Sequence, residues 1–365
     1  MIVENPHVLV AGAGGVVGFA AARHFAKLGW QVTAVSRRAP PRQDGIRHLA
    51  LDLGDERSAA TALGDLPPVT HLLFAAYAEE PGTAGWREPR QMAFNLALLR
   101  HTLEPLLSNR NLRHLTLLQG TKAYGEAHDV IPIPAKEDAP RAPHAAFYFL
   151  QEDYVRERQA GAAWHWTVLR PQVVFGESLG SHMNLITPIG IYAALLKAKG
   201  EPLHFPGGPS WVREAVDCDL LARACAWAAT AEACREQIFN ITNGDVYEWR
   251  NLWPGIADAL GMRAGGDRPL SLARAMPARE EEWAQLVARH GLSAPARMQD
   301  CVGQGFEGFA RADRQLCFGL DAPPPARLVS TIKARQAGFH DCVDTQSMFV
   351  RIFRQFQANG WLPPP

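Results

Sequence analysis

Through the first 180 residues, short apolar runs alternate with longer stretches that carry small and apolar residues on one side only. Residues 7–11 (HVLVA) form a continuous apolar run of the length that fills a strand buried on both faces. Glycines follow, then FAAARHFAKLG with a helical pattern. WQVTAVSRR, HLALDL, HLLFAAY, HLTLLQG and WTVLRPQVVFG read as further strands, and QMAFNLALLRHTLEPLL as one of the helices between them. Strands alternating with helices predict a parallel sheet covered on both faces, and right-handed crossovers make it a doubly wound α/β fold.

Beyond residue 180 the pattern loosens. MNLITPIGIYAALLKAKG and DCDLLARACAWAAT read as helices, EPLHFPGGPSW as a Pro/Gly-rich loop, and QIFNITNG as a strand. From 250 to 330 the chain reads as helices, REEEWAQLVARHG among them, broken by Pro and Gly. Two units are expected: 1–180, which holds the main sheet, and 181–365, a smaller and mostly helical lobe with some strands returning to that sheet. The closing Pro363-Pro364-Pro365 reads as a frayed end.

Composition narrows the function classes. A chain of 365 residues fits two units at roughly 150 residues each. With 47% hydrophobic and 20% charged residues it is no disordered chain. Lys plus Arg and Asp plus Glu both number 37, so no basic surplus favours nucleic acid as a partner. No apolar run approaches the ~18 residues that cross a bilayer, so no membrane association is expected. The opening stretch MIVENPHVLVAGAGG carries neither a basic n-region nor a small-residue cleavage site, and a cytoplasmic location is expected. Cys218, Cys225, Cys234, Cys301, Cys317 and Cys342 form no CxxC pair. No metal and no disulfide are expected, and the thiols are read as free and buried.

Gly12, Gly15 and Gly18 form G-x-x-G-x-x-G between the first strand and the helix after it. One glycine permits the tight turn, one lets backbone approach a pyrophosphate, and one lets helix and strand pack closely. This identifies 1–180 as a dinucleotide-binding Rossmann domain and assigns substrate binding to 181–365. The second strand ends in Ser36-Arg37-Arg38, where a NAD-preferring site carries an acidic residue. Two guanidinium groups and a hydroxyl suit a 2′-phosphate instead, so NADP(H) is the expected cofactor; solvated surface arginines are the alternative. Asp52 and Leu53 end the third strand, where a carboxylate meets the adenine amino group. Ala75, Ala76 and Tyr77 end the fourth, where small residues let the cofactor lie flat.

These strand ends and the glycine spacing resemble the extended short-chain dehydrogenase/reductase superfamily. Its usual Tyr-x-x-x-Lys appears here as Tyr148-Phe149-Leu150-Gln151-Glu152, with Glu in place of Lys. A more particular resemblance is to the progesterone 5β-reductase and iridoid synthase-like family, enone reductases that depart from the superfamily in the same way. That family has N-F-Y-Y-x-x-E-D where this chain has Ala146 through Asp153, and Q-T-G-x-K-H-Y-x-G where this chain has Gln119-Gly120-Thr121-Lys122-Ala123-Tyr124-Gly125. The likeness continues through RPQVVFG, FPGGPSWVREAVDCDLLARACAWA, FNITNGDVYEWRNLWP, SLARAM and STIKARQAGFHDCVDTQSMF, nearly the whole chain. It implies Lys122 and Tyr148 as catalytic residues and adds Gln119, Pro171 and Val173 to the cofactor contacts. Two positions depart from the family: its Asn is Ala146 and its second Tyr is Phe149. The aromatics that follow its Lys are replaced by GEAHDVIPIP, which argues against steroid- or iridoid-sized substrates.

The chemistry supports the same pair. In 1,4-reduction of an enone, charge builds on the carbonyl oxygen, and a phenol with an ammonium beside it stabilises the enolate. A neighbouring cation also favours the phenolate form of Tyr148. Read without the resemblance, Lys122 is a loop lysine and Tyr148 a helix-borne core aromatic. Tyr124 shares a face with Lys122 if that segment is extended, although packing is its expected task. Thr121 is a candidate weak donor, and Glu152 and Asp153 read as surface or ion-pair carboxylates. Trp211, Phe339 and Met348 are candidates for pocket walls, with core packing as the alternative. Three functions follow: 1,4-reduction of enones or enals with NADPH, 1,2-reduction of an aldehyde or ketone by the same pair, or a regulator that senses NADP without turnover. The expected partner is a small-molecule enone or carbonyl compound. A homodimer is left open.

Overall fold

The computed structural model describes residues 6–38, 44–78, 88–125, 131–181 and 183–365. The first apolar run becomes β1 (His7–Ala11), buried at every position. It is followed by β2 (Gln31–Ser36), β3 (Ile46–Ala50), β4 (His71–Phe74), β5 (His114–Leu118), β6 (His165–Pro171), β7 (Val173–Phe175), β8 (Leu203–Phe205), β9 (Ala215–Asp217), β10 (Gln237–Ile241) and β11 (Ala264–Asp267). Among the described residues, seven of these form one sheet in the order β10-β6-β5-β4-β1-β2-β3. Every neighbouring pair in it is parallel. The order reverses between β1 and β4, the doubly wound arrangement the alternating pattern predicts. The crossovers include α1 (Val16–Lys27), α2 (Glu56–Gly64), α3 (Pro89–Ser108) and α4 (Phe147–Gln159). Later come α5 (Ile186–Lys197), α6 (Cys218–Thr230) and α7 (Trp249–Ala259).

Two compact units emerge. The first comprises residues 1–172, 218–242 and 329–341, and the second 173–217, 243–328 and 342–365. A single cut at 180 does not separate them, because α6 and β10 return to the first unit and β10 completes its sheet beside β6. WTVLRPQVVFG, read as one strand, is two. β6 pairs with β5 and β10, whereas β7 pairs with β9 in the second unit. The predicted loop EPLHFPGGPSW likewise contains β8, paired with β11.

Four histidines open adjacent strands of the main sheet. His71, His114 and His165 stand in register across β4, β5 and β6, and His7 opens β1. His7 Nε2 lies 2.9 Å from Thr33 Oγ1, and His114 Nε2 lies 2.9 Å from Thr167 Oγ1. The His71 and His114 rings are 6.4 Å apart. Burial lowers the pKa of His71 to about 4 and that of His114 to about 3, so both are neutral near pH 7.

In the second unit, α5 is buried along almost its whole length and packs into a core with Trp283, Phe349, Phe353 and Phe356. Trp283 is fully enclosed, its indole Nε1 donating to Pro295 O at 2.9 Å. The terminal prolines are not frayed. Lys197 Nζ donates to Leu260 O at 2.9 Å and to Pro364 O at 2.8 Å, and Pro363 is buried. All six cysteines are free; five are buried and Cys342 is exposed. Among the described residues, no helix is long and apolar enough to cross a membrane.

Candidate active site

The glycine loop closes the C-terminal end of β1. Gly12 has φ +86°, and a Cβ there would lie 2.7 Å from the backbone of Ala75 and Ala76. Only glycine permits both the turn and the close approach to the end of β4. A Cβ on Gly18 would stand 2.3 Å from Gly12 O, so the first turn of α1 rests directly on the loop. Gly15 differs: a Cβ there meets only Gly12 O, at an ordinary 3.5 Å. Gly15 is exposed and is the N-cap of α1, a position that favours glycine over alanine. No side chain caps α1, which leaves its positive end available to an anion. The neighbouring Gly14 is also exposed, and a Cβ there would meet Ser36 Cβ at 3.4 Å; the three-glycine spacing did not include it.

Arg37 and Arg38 are exposed at the end of β2, and among the described residues neither is held in an ion pair. Ser36, half-buried, is engaged within the protein. Its hydroxyl donates to Arg38 O at 2.7 Å and contacts His48 Nε2 at 3.0 Å, which shapes the turn that presents the two arginines. Asp52 is exposed, with Oδ1 accepting from Gly54 N at 2.9 Å, and Leu53 is buried. Tyr77 stacks on Phe147 with ring centroids 5.4 Å apart. Ala78, just beyond it, is clamped through its N–H to Asn95 Oδ1 and its carbonyl to Gln91 Nε2.

The segment after β5 is a 3-10 turn, Thr121–Tyr124, closed by Gly125 at φ +87°. Residues two apart do not share a face in such a turn. Lys122 and Tyr124 therefore diverge, contrary to the extended arrangement in which they would align. Tyr124 is buried against Ile131, Ala135 and Val329, and its hydroxyl donates to Asn240 Oδ1 at 2.6 Å. Lys122 is half-buried. So is Tyr148, in the first turn of α4, whose ring meets Phe147 edge-on at 4.5 Å. The Tyr148 hydroxyl reaches the backbone just before the Lys122 turn: a Cβ on Gly120 would stand 3.3 Å from it. Tyr148 also packs against the cluster of Ala123, Ala146 and Phe149. Residues 126–130 of GEAHDVIPIP lie outside the described residues.

Sequence reasoning missed what lies beneath this pair. Glu152, read as a surface or ion-pair carboxylate, is an ion-pair carboxylate and only 3% exposed. Its Oε1 accepts from Arg141 at 3.0 Å and from Arg156 at 3.0 and 3.1 Å, and its Oε2 from Arg170 and Gln119, both at 3.4 Å. Burial works to raise its pKa, but the guanidinium groups of Arg141, Arg170 and Arg156 outweigh burial and hold the carboxyl below its ordinary value. Asp153 pairs with Arg141 at 2.7 Å. Gln119, expected at the cofactor, is turned into this network: Oε1 accepts from Arg170 Nε at 2.9 Å and Nε2 donates to Tyr148 O at 3.1 Å. The signal for Arg170 was an arginine inside an otherwise apolar strand.

Pro171 ends β6, with its carbonyl 3.7 Å from the Cβ position on Gly120, and Val173 opens β7 in the second unit. Of the proposed pocket walls, Met348 is a core residue of the second unit. Phe339 packs on Trp227 at 5.2 Å in the first. Trp211 lies under the Arg213 guanidinium at 4.0 Å, its Nε1 donating to Pro325 O.

Comparison with known proteins agrees with this geometry. The NAD dependent epimerase/dehydratase family matches residues 8–242. An (S)-8-oxocitronellyl enol synthase of Nepeta racemosa is 31% identical over 356 residues, covering 92% of this chain and 84% of that protein. The 3-oxo-Delta(4,5)-steroid 5-beta-reductase of Arabidopsis thaliana is 31% identical over 282 residues, covering 72% and 71%. The chain belongs to the progesterone 5β-reductase and iridoid synthase-like family of extended short-chain dehydrogenases/reductases. As a member of that family it is an NAD(P)-dependent oxidoreductase. Among solved structures, an epimerase of Methanothermobacter thermautotrophicus superposes with TM-score 0.69 at 17% identity, covering 98% of this chain and 93% of that one. UDP-glucose 4-epimerase of Thermus thermophilus in complex with NAD gives 0.64 at 19% identity, covering 95% and 99%. These two establish the fold.

Proposed function

We propose that this protein reduces activated C=C bonds conjugated to a carbonyl, using NADPH, with Lys122 and Tyr148 holding the carbonyl oxygen. The observation that carries this reading is the Tyr148 hydroxyl beside Gly120, which brings the phenol to the turn bearing Lys122 at the C-terminal end of β5. Ligands of doubly wound sheets bind at that end of the strands.

The chain's own groups fit a dinucleotide. Gly12 and Gly18 build the loop, Gly15 leaves its backbone open, and the N-terminus of α1 would receive the pyrophosphate. Arg37 and Arg38 offer bidentate, charge-assisted bonds to a 2′-phosphate, which is why NADPH is favoured over NADH. When bound, the reduced nicotinamide supplies a hydride. Tyr148 donates a hydrogen bond to the substrate carbonyl oxygen, and Lys122 places positive charge beside it. Both interactions strengthen as that oxygen takes on the charge of an enolate, which is the differential binding that lowers a barrier. The α-carbon takes its proton from water, so no further acid is required.

The test is turnover of small enones and enals with NADPH and, separately, NADH, followed at 340 nm with products identified by mass spectrometry. A saturated carbonyl formed with NADPH preference is expected. An alcohol would move the chemistry to 1,2-reduction by the same pair, and NADPH binding without turnover across the panel would favour an NADP-sensing role.

A further inference from the structure

In the superfamily's usual Tyr-x-x-x-Lys arrangement the two residues sit four apart on one helix, so the helix itself fixes their spacing. Here Tyr148 is on α4 and Lys122 on the 3-10 turn after β5. Their relative placement must be set between elements. We infer that Glu152, Arg170 and Gln119 are positioning residues that lock the Tyr148 helix to the Lys122 turn, a role that rests on the proposed catalytic use of that pair.

The connections run through every part that needs holding. Gln119 immediately precedes Gly120 and the turn, and its Nε2 donates both to the Tyr148 carbonyl and to Glu152, one helical turn further along α4. Arg170, on the adjacent β6, donates from Nε to Gln119 and from Nη2 to Glu152, closing a ring of three buried side chains. The other end of the turn rests on the same guanidinium: Arg170 lies over the Tyr124 ring at 5.0 Å, and the Tyr124 hydroxyl is anchored on Asn240. Lys122 is thereby held from both sides, and Tyr148 is tied to the same hub.

The charge pattern explains why position 152 is acidic. Glu152 gathers Arg141 and Arg156 on Oε1 and Arg170 and Gln119 on Oε2. A lysine there would face Arg170 and repel it. The site that holds the superfamily's lysine thus carries the opposite charge, and the cation has moved to the turn. A buried planar fork with several acceptors is a task for arginine that lysine fills poorly.

The test is a double-variant cycle in the full-length protein, measured with NADPH and an enone that wild type reduces. Glu152→Gln keeps the shape and removes the charge. On the wild-type background it is expected to lower kcat by roughly tenfold while KM for NADPH stays within about twofold, because a small misplacement costs rate steeply. On the Tyr148→Phe background the same change is expected to cost less than about twofold, since the group it positions is gone. Arg170→Lys is expected to behave as Glu152→Gln does. Equal losses from Glu152→Gln on both backgrounds would show a general structural role and overturn the inference, as would no loss on either. If Tyr148→Phe alone retains full activity, the catalytic reading falls instead. Hydrogen exchange gives a readout independent of turnover: Glu152→Gln should raise exchange in residues 120–125 and the first turn of α4 while leaving β1 and α1 protected. Unchanged exchange in both segments would refute the locking role.

Discussion

Acidification is expected to destabilise the first unit through two buried histidines. In the folded chain burial lowers His71 to about 4 and His114 to about 3, whereas an unfolded histidine titrates at about 6.5. A group with a depressed folded pKa contributes stability above its unfolded value, and that contribution is lost as pH falls toward the folded value. At about pH 5 the unfolded side chains are almost fully protonated while the folded ones are still almost neutral, so each histidine has withdrawn roughly 2 kcal/mol. Two such losses, about 4 kcal/mol, are a large share of the 5–15 kcal/mol that typically holds a domain together. The surroundings sharpen the effect. Arg113 also opposes the charge on His71, and His71, His165 and Arg235 oppose that on His114, while the Ala229 carbonyl partly favours a charged His71. The assay is guanidinium unfolding at about pH 7.5 and about pH 5 for wild type and His114→Gln, which keeps a polar group for Thr167 and removes the titration. The variant's loss between the two pH values should be smaller than wild type's by roughly 2 kcal/mol. Parallel losses would refute the reasoning, whatever the variant's absolute stability.

Four further outcomes follow from the site. Gly18→Ala drives a methyl into Gly12 O and should lower stability by at least the ~1–3 kcal/mol of an overpacked position, read as a drop in Tm. Gly15→Ala, which meets no clash, should lower Tm less than Gly18→Ala and weaken NADPH binding in a fluorescence titration. The pair Arg37→Ala, Arg38→Ala should reduce the NADPH-over-NADH preference in kcat/KM by roughly 10- to 100-fold, the worth of one or two charge-assisted hydrogen bonds; an unchanged ratio would place the 2′-phosphate elsewhere. Tyr148→Phe should lower kcat by on the order of 10²–10³, the usual cost of one oxyanion donor, with the NADPH dissociation constant unchanged.

Much of the main sheet was legible because buried parallel strands leave continuous apolar runs. The limits of β1 are those of HVLVA, and Gly12 and Gly18 fall where the turn and the helix contact require glycine. What the sequence hid was decided by partners distant along the chain. WTVLRPQVVFG reads as one mostly apolar run, and its pattern does not say that β6 and β7 take different partners. Between a surface and an ion-pair carboxylate the sequence could not choose for Glu152, because the charges that permit its burial come from Arg141 and Arg170 as well as from its own helix. Gln119 reads as a cofactor contact from its motif, yet its amide is turned to Tyr148 and Arg170. The Ser36 hydroxyl bond to Arg38 O joins residues two apart, which the sequence does not show.

The return of β10 to the sheet has a consequence for how the chain is made. Thr167 must wait for Gln237 before β6 gains its second neighbour, and the intervening residues 173–217 belong to the other unit. A chain emerging from the ribosome therefore carries β6 as an open edge, apolar and long enough to pair with a stranger, until β10 has been synthesised. A fragment ending at Gln172 would keep six of the seven strands and expose that edge permanently. The first unit should thus be produced together with residues 173–242, because a cut after Gln172 leaves an aggregation template.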